Sequence, residues 1–232
     1  MSKIDPIIEQ LLKAMIVSCQ SEGGDPFNSN PMYMGLFAKA AEMGGAKAIR
    51  SEGIEKIIAI KKATKLPVIG LMKSKFSDGT VCITGTFREV EQLIEAGCDI
   101  IAIDGTFRER DGYSGPEFIR EVKQRFGCLV LADIATCEEA VACEQAGADA
   151  VSTTLNGYTP ETLSDENTPN FNILKDVIEH VSVPVFAEGR YNTPSDAGRA
   201  IQLGAYGVIV GSAITRPRVI TSWFVNAIDN QK

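Results

Sequence analysis

Eight short apolar runs, each followed by a segment with helical spacing, divide this chain from end to end. They are MIVSCQ (15–20), AKAIRS (46–51), PVIGLMK (67–73), IIAIDG (100–105), LVLADI (129–134), AVSTTL (150–155), PVFAEG (184–189) and GVIVGS (207–212). In the intervening segments, such as FREVEQLIEAGCD and TCEEAVACEQAGAD, apolar residues recur at intervals of three and four until a glycine stops the helix. Strictly alternating strands and helices imply parallel pairing through right-handed crossovers. Eight such units in 232 residues predict a closed (β/α)8 TIM barrel, an α/β fold formed as one domain over 1–232. A doubly wound open sheet is the alternative. Against it, no G-x-G-x-x-G follows the first strand, and the helix-to-strand turn recurs as EAGCD, QAGAD and QLGAY before strands four, six and eight.

Hydrophobic residues make up 44% of the chain and aromatics only 7%, which suits small, tightly packed parallel strands under helices. The net charge of −7 and a pI near 4.9 disfavour nucleic acid and anionic membrane as partners, so any anionic ligand must be held by local groups. The six cysteines show neither C-x-x-C nor a repeating metal-ligand spacing and read as reduced thiols. The first 20 residues are interrupted by Asp5-Pro6 and Lys13, and no window approaches the ~20 apolar residues that cross a bilayer. The expected location is the cytoplasm.

In a barrel of this kind, chemistry sits at the carboxyl ends of the strands. Those ends carry Gln20, Arg50, Lys73, Asp104, Asp133, Thr153 or Thr154, Glu188, and Gly211-Ser212. Any one polar residue there arises by chance; nearly all of them together suggest a site on the barrel axis. Lys73 follows PVIGLM, so its stem is expected to emerge from packed apolar wall. Burial and the nearby Arg50 cation would both lower its pKa, by about 3 units if it is to serve as a base near neutrality. The plainer reading is a lysine that snorkels to pair with Asp133 or Glu188. His180, the only histidine, falls at the end of the helix before strand seven and is expected at the surface, away from the rim. Proton transfer would therefore fall to lysine and carboxylates.

The loops after strands seven and eight, with Gly189 and Arg190 and then Gly211, Ser212 and Arg216, have the composition and place of a phosphate cradle. A tight turn without a ligand would use the same glycines. Asp104, Asp133 and Glu188 could face one ion, but neighbouring arginine and lysine would oppose it, so no metal is expected.

With those residues in view, the chain resembles the N-acylglucosamine-6-phosphate 2-epimerase family, also called N-acetylmannosamine-6-phosphate epimerase, of bacterial sialic-acid catabolism. The resemblance runs through MIVSCQ, AIRSEG, PVIGLMK, DIIAIDGT, LADIAT, STTLNGYT, AEGRYNTP and VGSAITRP, nearly the whole chain. It implies a (β/α)8 barrel that interconverts N-acetylmannosamine 6-phosphate and N-acetylglucosamine 6-phosphate without a cofactor. By the same resemblance, Lys73 is the acid/base at C2 and Glu188 assists ring opening. Asp133 positions the lysine or the substrate, Gln20 and Arg50 lie near the acetamido group, and Arg216 binds phosphate. Two departures stand out: Lys73-Ser74-Lys75 where arginine often follows the lysine, and Ala135 where serine or threonine is common.

Two other chemistries use a lysine beside a phosphate cradle or the cradle alone: a Schiff-base aldolase and a non-catalytic sugar-phosphate sensor. The C-terminal ITSWFVNAIDNQK offers Trp223 and Phe224 either as contacts of a homodimer or as core packing.

Overall fold

The computed structural model describes residues 4–21 and 23–230. In chain order the elements are α1 (Pro6–Glu9), β1 (Ala14–Cys19), α2 (Met32–Met43), β2 (Ala48–Glu52), α3 (Ile54–Ala63), β3 (Val68–Leu71), β4 (Lys73–Lys75), β5 (Val81–Ile83), α4 (Phe87–Glu95) and β6 (Ile100–Asp104). They continue with α5 (Gly115–Phe126), β7 (Val130–Asp133), α6 (Cys137–Gln145), β8 (Ala150–Ser152), α7 (Phe171–His180), β9 (Val185–Glu188), α8 (Pro194–Gln202), β10 (Gly207–Val210), α9 (Ser212–Thr215) and α10 (Pro217–Asp229). Eight parallel strands close into a barrel in the order β1-β2-β3-β6-β7-β8-β9-β10, sealed where Ala14 to Val17 pair with Gly207 to Val210. The barrel and all eight expected strands are therefore present. The third is shorter than expected, because the chain leaves the barrel after Leu71 and forms an antiparallel hairpin, β4–β5, beyond the rim.

The period of two along each strand separates two apolar layers. Ile16, Ala48, Ile69, Ala102, Leu131, Ala150, Phe186 and Ile209 fill the barrel interior, which Ile8 and Leu11 of the N-terminal segment close from below. Residues of opposite parity, among them Val17, Ile49, Ile101, Val130, Val151 and Val208, face the surrounding helices. Helix starts are set by side chains: Thr86 with Glu89 and Thr136 with Glu139 form capping boxes at α4 and α6.

The recurring EAGCD, QAGAD and QLGAY turns share one construction. Gly97, Gly147 and Gly204 have φ of 85°, 98° and 104°, a region open to glycine at little cost. Two residues later, the N–H groups of Asp99, Asp149 and Tyr206 donate to Val68, Val130 and Val185, at the start of the preceding barrel strand. The sequence echo is thus a repeated device for re-entering the sheet.

Six unpaired cysteines agree with the reading of reduced thiols. No helix among the described residues is long and apolar enough to cross a membrane. Trp223 and Phe224 are 37% and 68% exposed, so they are not core residues; no residue of α10 is fully buried, and Val219 and Ile220 are half-buried.

Candidate active site

The parity that packs the interior also decides what tops it. Continuing inward from Ile16, Ala48, Ala102, Leu131, Ala150 and Phe186, the next inward positions are Ser18, Arg50, Asp104, Asp133, Ser152 and Glu188. A polar layer thus sits directly on the apolar plug, under the carboxyl-terminal mouth. Its centre is Arg50, 1% exposed, whose two terminal nitrogens donate to the two oxygens of the fully buried Asp133 at 2.9 and 2.6 Å. The same Nη1 lies 3.1 Å from Glu188 Oε2. Thr154 Oγ1 bridges the carboxylates, 2.6 Å from Asp133 Oδ1 and 2.9 Å from Glu188 Oε2. Ser152 Oγ is 3.4 Å from the same glutamate oxygen.

One cation shared between two buried carboxylates leaves a negative charge uncompensated, and the proton affinity of Glu188 rises in response. Burial pushes its pKa up to about 7, and the charge of Asp133 adds to the rise, against the opposing pull of Arg50 and the Thr154 and Ser152 hydroxyls. At neutral pH Glu188 is poised between donor and acceptor, the condition general acid–base chemistry needs. Protonated, it can donate to Thr154 Oγ1; ionised, it accepts from it.

Lys73 stands elsewhere than expected. It is not the buried end of a barrel strand but the first residue of β4, paired with Ile83 across the hairpin, and its side chain is exposed. Met72 N–H donates to Thr84 Oγ1 and Thr84 N–H to Met72 O, so the base of the hairpin is pinned one residue before the lysine. The tip turns at Asp78-Gly79, where Gly79 has φ of 85°. Behind it, Phe76 lies under the guanidinium of Arg108, 4.2 Å from ring centre to Cζ, and Arg108 donates to Asp104 at 2.9 Å. Arg110 completes the clamp through Asp104 Oδ1 at 3.2 Å and the Asp104 carbonyl at 2.6 Å. Asp104, inward-facing and buried, therefore ties the hairpin to the rim. The expected desolvation of Lys73 is absent in this arrangement, and the Arg50 charge that was to assist is committed to Asp133 and Glu188.

A family model described as "NanE: Putative N-acetylmannosamine-6-phosphate epimerase" matches residues 34–230. The chain belongs to that family, a family of isomerases. Two relatives are both named "Putative N-acetylmannosamine-6-phosphate 2-epimerase". The one from Clostridioides difficile (strain 630) is 44% identical over 224 residues, covering 96% of this chain and 99% of the relative. The one from Caldanaerobacter subterraneus subsp. tengcongensis is 45% identical over 228 residues, covering 97% and 95%. The solved N-acetylmannosamine-6-phosphate 2-epimerase of Clostridium perfringens superposes with a TM-score of 0.89 at 39% identity over 98% of each chain.

On the eighth-strand side of the mouth, Gln20 Nε2 donates to Ser18 Oγ at 2.9 Å, and Thr215 Oγ1 donates to the Ser18 carbonyl at 2.9 Å. Gly211 lies against Ser18, where an added Cβ would approach the serine Cβ to 3.3 Å; a larger residue would crowd the floor. Ser212 opens the short α9, and Arg216 ends it, half-buried, so Gln20, Gly211, Ser212 and Arg216 do share one side of the rim.

Arg190 does something other than expected. Gly189 and Arg190 have consecutive positive φ values of 105° and 61°, which reverse the chain immediately after Glu188. The reversal aims the guanidinium at the loop after β8: its nitrogens donate to the carbonyls of Asn156, Gly157 and Ser164 at 3.3, 3.1 and 2.8 Å, and it stacks over Tyr158 at 4.4 Å. A left-handed non-glycine residue costs ~1 kcal/mol, which these contacts offset. Arg190 is a strap for the longest rim loop, and its donors are engaged with backbone. Sequence reading named Thr153 or Thr154 at the strand end without choosing between them, and passed over Ser152. The parity of AVSTTL, inward at Ala150, was the available signal for Ser152, while Thr154 lies past the strand in a 3-10 turn.

Proposed function

We propose that the protein interconverts N-acetylmannosamine 6-phosphate and N-acetylglucosamine 6-phosphate in the cytoplasm, within bacterial sialic-acid catabolism. The observation that carries the reading is Glu188, held at a pKa of about 7 on the floor of the mouth, within a family whose members are named for this reaction. Inverting C2 leaves the oxidation state unchanged, so the chemistry needs proton removal and return and no cofactor. The C2 proton becomes acidic only beside the open-chain aldehyde. Ring opening removes the O1 proton and protonates O5, a task for one group that holds or releases a proton at neutral pH; Glu188 meets that requirement.

Lys73 is then the C2 base, and the enediolate oxygen falls near Arg50, whose Nε is buried with no acceptor among the described residues. Asp133 orients Arg50. Gln20 and Arg50 flank the acetamido group, while Gly189, Gly211, Ser212 and Arg216 hold the phosphate that fixes C6 and aims C2 at the base. Because Lys73 is exposed without ligand, its activation requires the sugar phosphate to cover it. A second reading follows from that exposure: Glu188 itself takes the C2 proton, and the Lys73 ammonium stabilises the enediolate. Turnover in D2O tests both. Deuterium at C2 of product is expected. Exchange abolished by Lys73→Ala supports the first reading, exchange abolished only by Glu188→Gln the second, and product without C2 deuterium overturns both.

The homodimer reading rests on α10, whose Phe224, Val225 and Ile228 are 68%, 48% and 63% exposed along a helix with no fully buried residue. A second copy is the occupant proposed for that face. Sedimentation should give a dimer that Phe224→Glu with Ile228→Glu converts to a folded monomer; a monomeric wild type rejects it.

A further inference from the structure

Outside the mouth, one other cluster of chemically capable side chains stands among the described residues, and nothing in the epimerase reading uses it. Cys137 of α6 and Asp176 and His180 of α7 each bring a ligand-type atom within 4.8 Å of the others. They border a cavity of about 430 Å³ on the outside of the barrel, between the face of α6 that runs from Cys137 to Gln145 and the two α7 residues. We propose that this cluster is a binding site for a borderline divalent cation, zinc by ligand type, bridging α6 and α7.

Three features of the cluster point to a metal. The donors differ in kind: a thiol sulfur, a carboxylate and an imidazole, a combination for which zinc is the ordinary common partner, whereas calcium and magnesium would reject the sulfur and the imidazole. Their spacing suits a pre-formed face, because Asp176 and His180 are four residues apart on one helix and so project to the same side. The imidazole and the carboxylate also stand together already: His180 Nδ1 lies 2.7 Å from the Asp176 carbonyl and 3.2 Å from Asp176 Oδ1, so a turn of the exposed ring is what brings a nitrogen lone pair to a shared ion.

Geometry sets what must change on binding. Zinc bonds of about 2.0–2.3 Å place tetrahedral ligands about 3.5 Å apart, so the cluster must contract by roughly 1 Å. Asp176 and His180 are 50% and 57% exposed and free to turn inward, while Cys137 is packed at the start of α6 and supplies the fixed point. The Cys137 thiol also donates weakly to the Asp176 carbonyl, 3.7 Å away, so sulfur and imidazole already converge on one turn of α7. Binding releases the thiol proton to solvent and leaves a thiolate–metal bond. Three protein ligands leave the remaining position to water or to Glu138, which borders the same cavity.

Cobalt(II) tests the site, since thiolate ligation gives it a near-ultraviolet charge-transfer band and zinc competes for the same ligands. One equivalent of cobalt should produce the band in the full-length wild-type protein, and one equivalent of zinc should remove it. Cys137→Ser should abolish the band, and Asp176→Asn and His180→Ala should each weaken binding at least about tenfold. Zinc should also raise the thermal midpoint of the wild type and leave that of His180→Ala unmoved, with all variants checked for folded circular dichroism. A band that survives Cys137→Ser, or no band at saturating cobalt, overturns the proposal. Both readouts are independent of catalysis, so the epimerase reading and this one can fail separately.

Discussion

Arg50 and Asp133 meet in a two-pronged ion pair, at 2.9 and 2.6 Å, with the side chains 1% and 0% exposed. Taking both charges out of water is costly, and only the near-ideal geometry and the added hydroxyl of Thr154 offset it. Asp133→Asn keeps the shape and removes one charge, leaving Arg50 buried opposite Glu188 alone. Because Glu188 remains as a partner for Arg50, the expected loss is about 1–3 kcal/mol in guanidinium denaturation, less than for a buried pair broken outright. A second effect follows from the same charge. Asp133 helps hold the Glu188 pKa up, and Arg50, freed, pulls it down. The Glu188 limb of the pH–rate profile should therefore move to lower pH in Asp133→Asn, and an unmoved limb would mean the two carboxylates do not share Arg50.

Glu188 couples stability to pH in the opposite sense from most carboxylates. Its folded pKa, about 7, lies above the ordinary 4.5, so between those values the native state holds a proton that the unfolded chain releases. Stability from this group is full below pH 4.5, declines as pH rises through about 7 and is level beyond. Glu188→Gln mimics the protonated form. The variant should lose that slope, gain up to roughly 3 kcal/mol relative to wild type above the window, and lose at least ~100-fold in turnover. Urea midpoints on either side of pH 7, with kcat, measure both.

Why so much of this was legible is visible in particular residues. The ends of the apolar runs need no tertiary knowledge, and they alone put Arg50, Asp133 and Glu188 at the mouth; the alternation that turns all three inward is seen in the structure. Lys73 failed the same logic because Ile69 and Leu71 continue the parity while the backbone does not. The Asp78-Gly79 pair between KSKF and TVCI was a hairpin signal, masked by reading PVIGLMK as one strand. Arg190 was beyond reach for a different reason. Its partners at Asn156, Gly157 and Ser164 are backbone carbonyls of a distant loop, and carbonyls carry no sequence signature.

That difference separates the two arginines of the rim in a measurable way. Arg190→Gly tolerates the positive φ and deletes the strap, so loop 156–164 should be cut faster by protease, while KM for the sugar phosphate changes by less than about threefold. Arg216→Ala removes a charged donor from the proposed phosphate side and should raise KM about 10–100-fold with loop protection intact. If Arg190→Gly raises KM as much as Arg216→Ala does, the guanidinium leaves its carbonyls for the ligand.

The hairpin supplies the last test, because it carries Lys73 and its tip is held by side chains of the rim. Phe76 rests under Arg108, which reaches Thr80 Oγ1 at 3.4 Å and Asp104 at 2.9 Å, so this guanidinium is a main tie between tip and rim, beside Arg110 over the same ring and the Ser74–Glu89 hydrogen bond. Arg108→Ala should loosen the tip, speeding amide exchange across 76–80 while shifting the global unfolding midpoint little, since β4 and β5 lie outside the barrel. If Lys73 acts at C2, loosening its support should lower kcat about tenfold and leave KM less affected, a misplacement rather than a loss of affinity. Arg108→Lys should rescue only in part, because a lysine keeps the charge yet cannot span ring, hydroxyl and carboxylate with one planar fork. Faster exchange with unchanged kcat would separate the hairpin from the chemistry and return the C2 proton to Glu188.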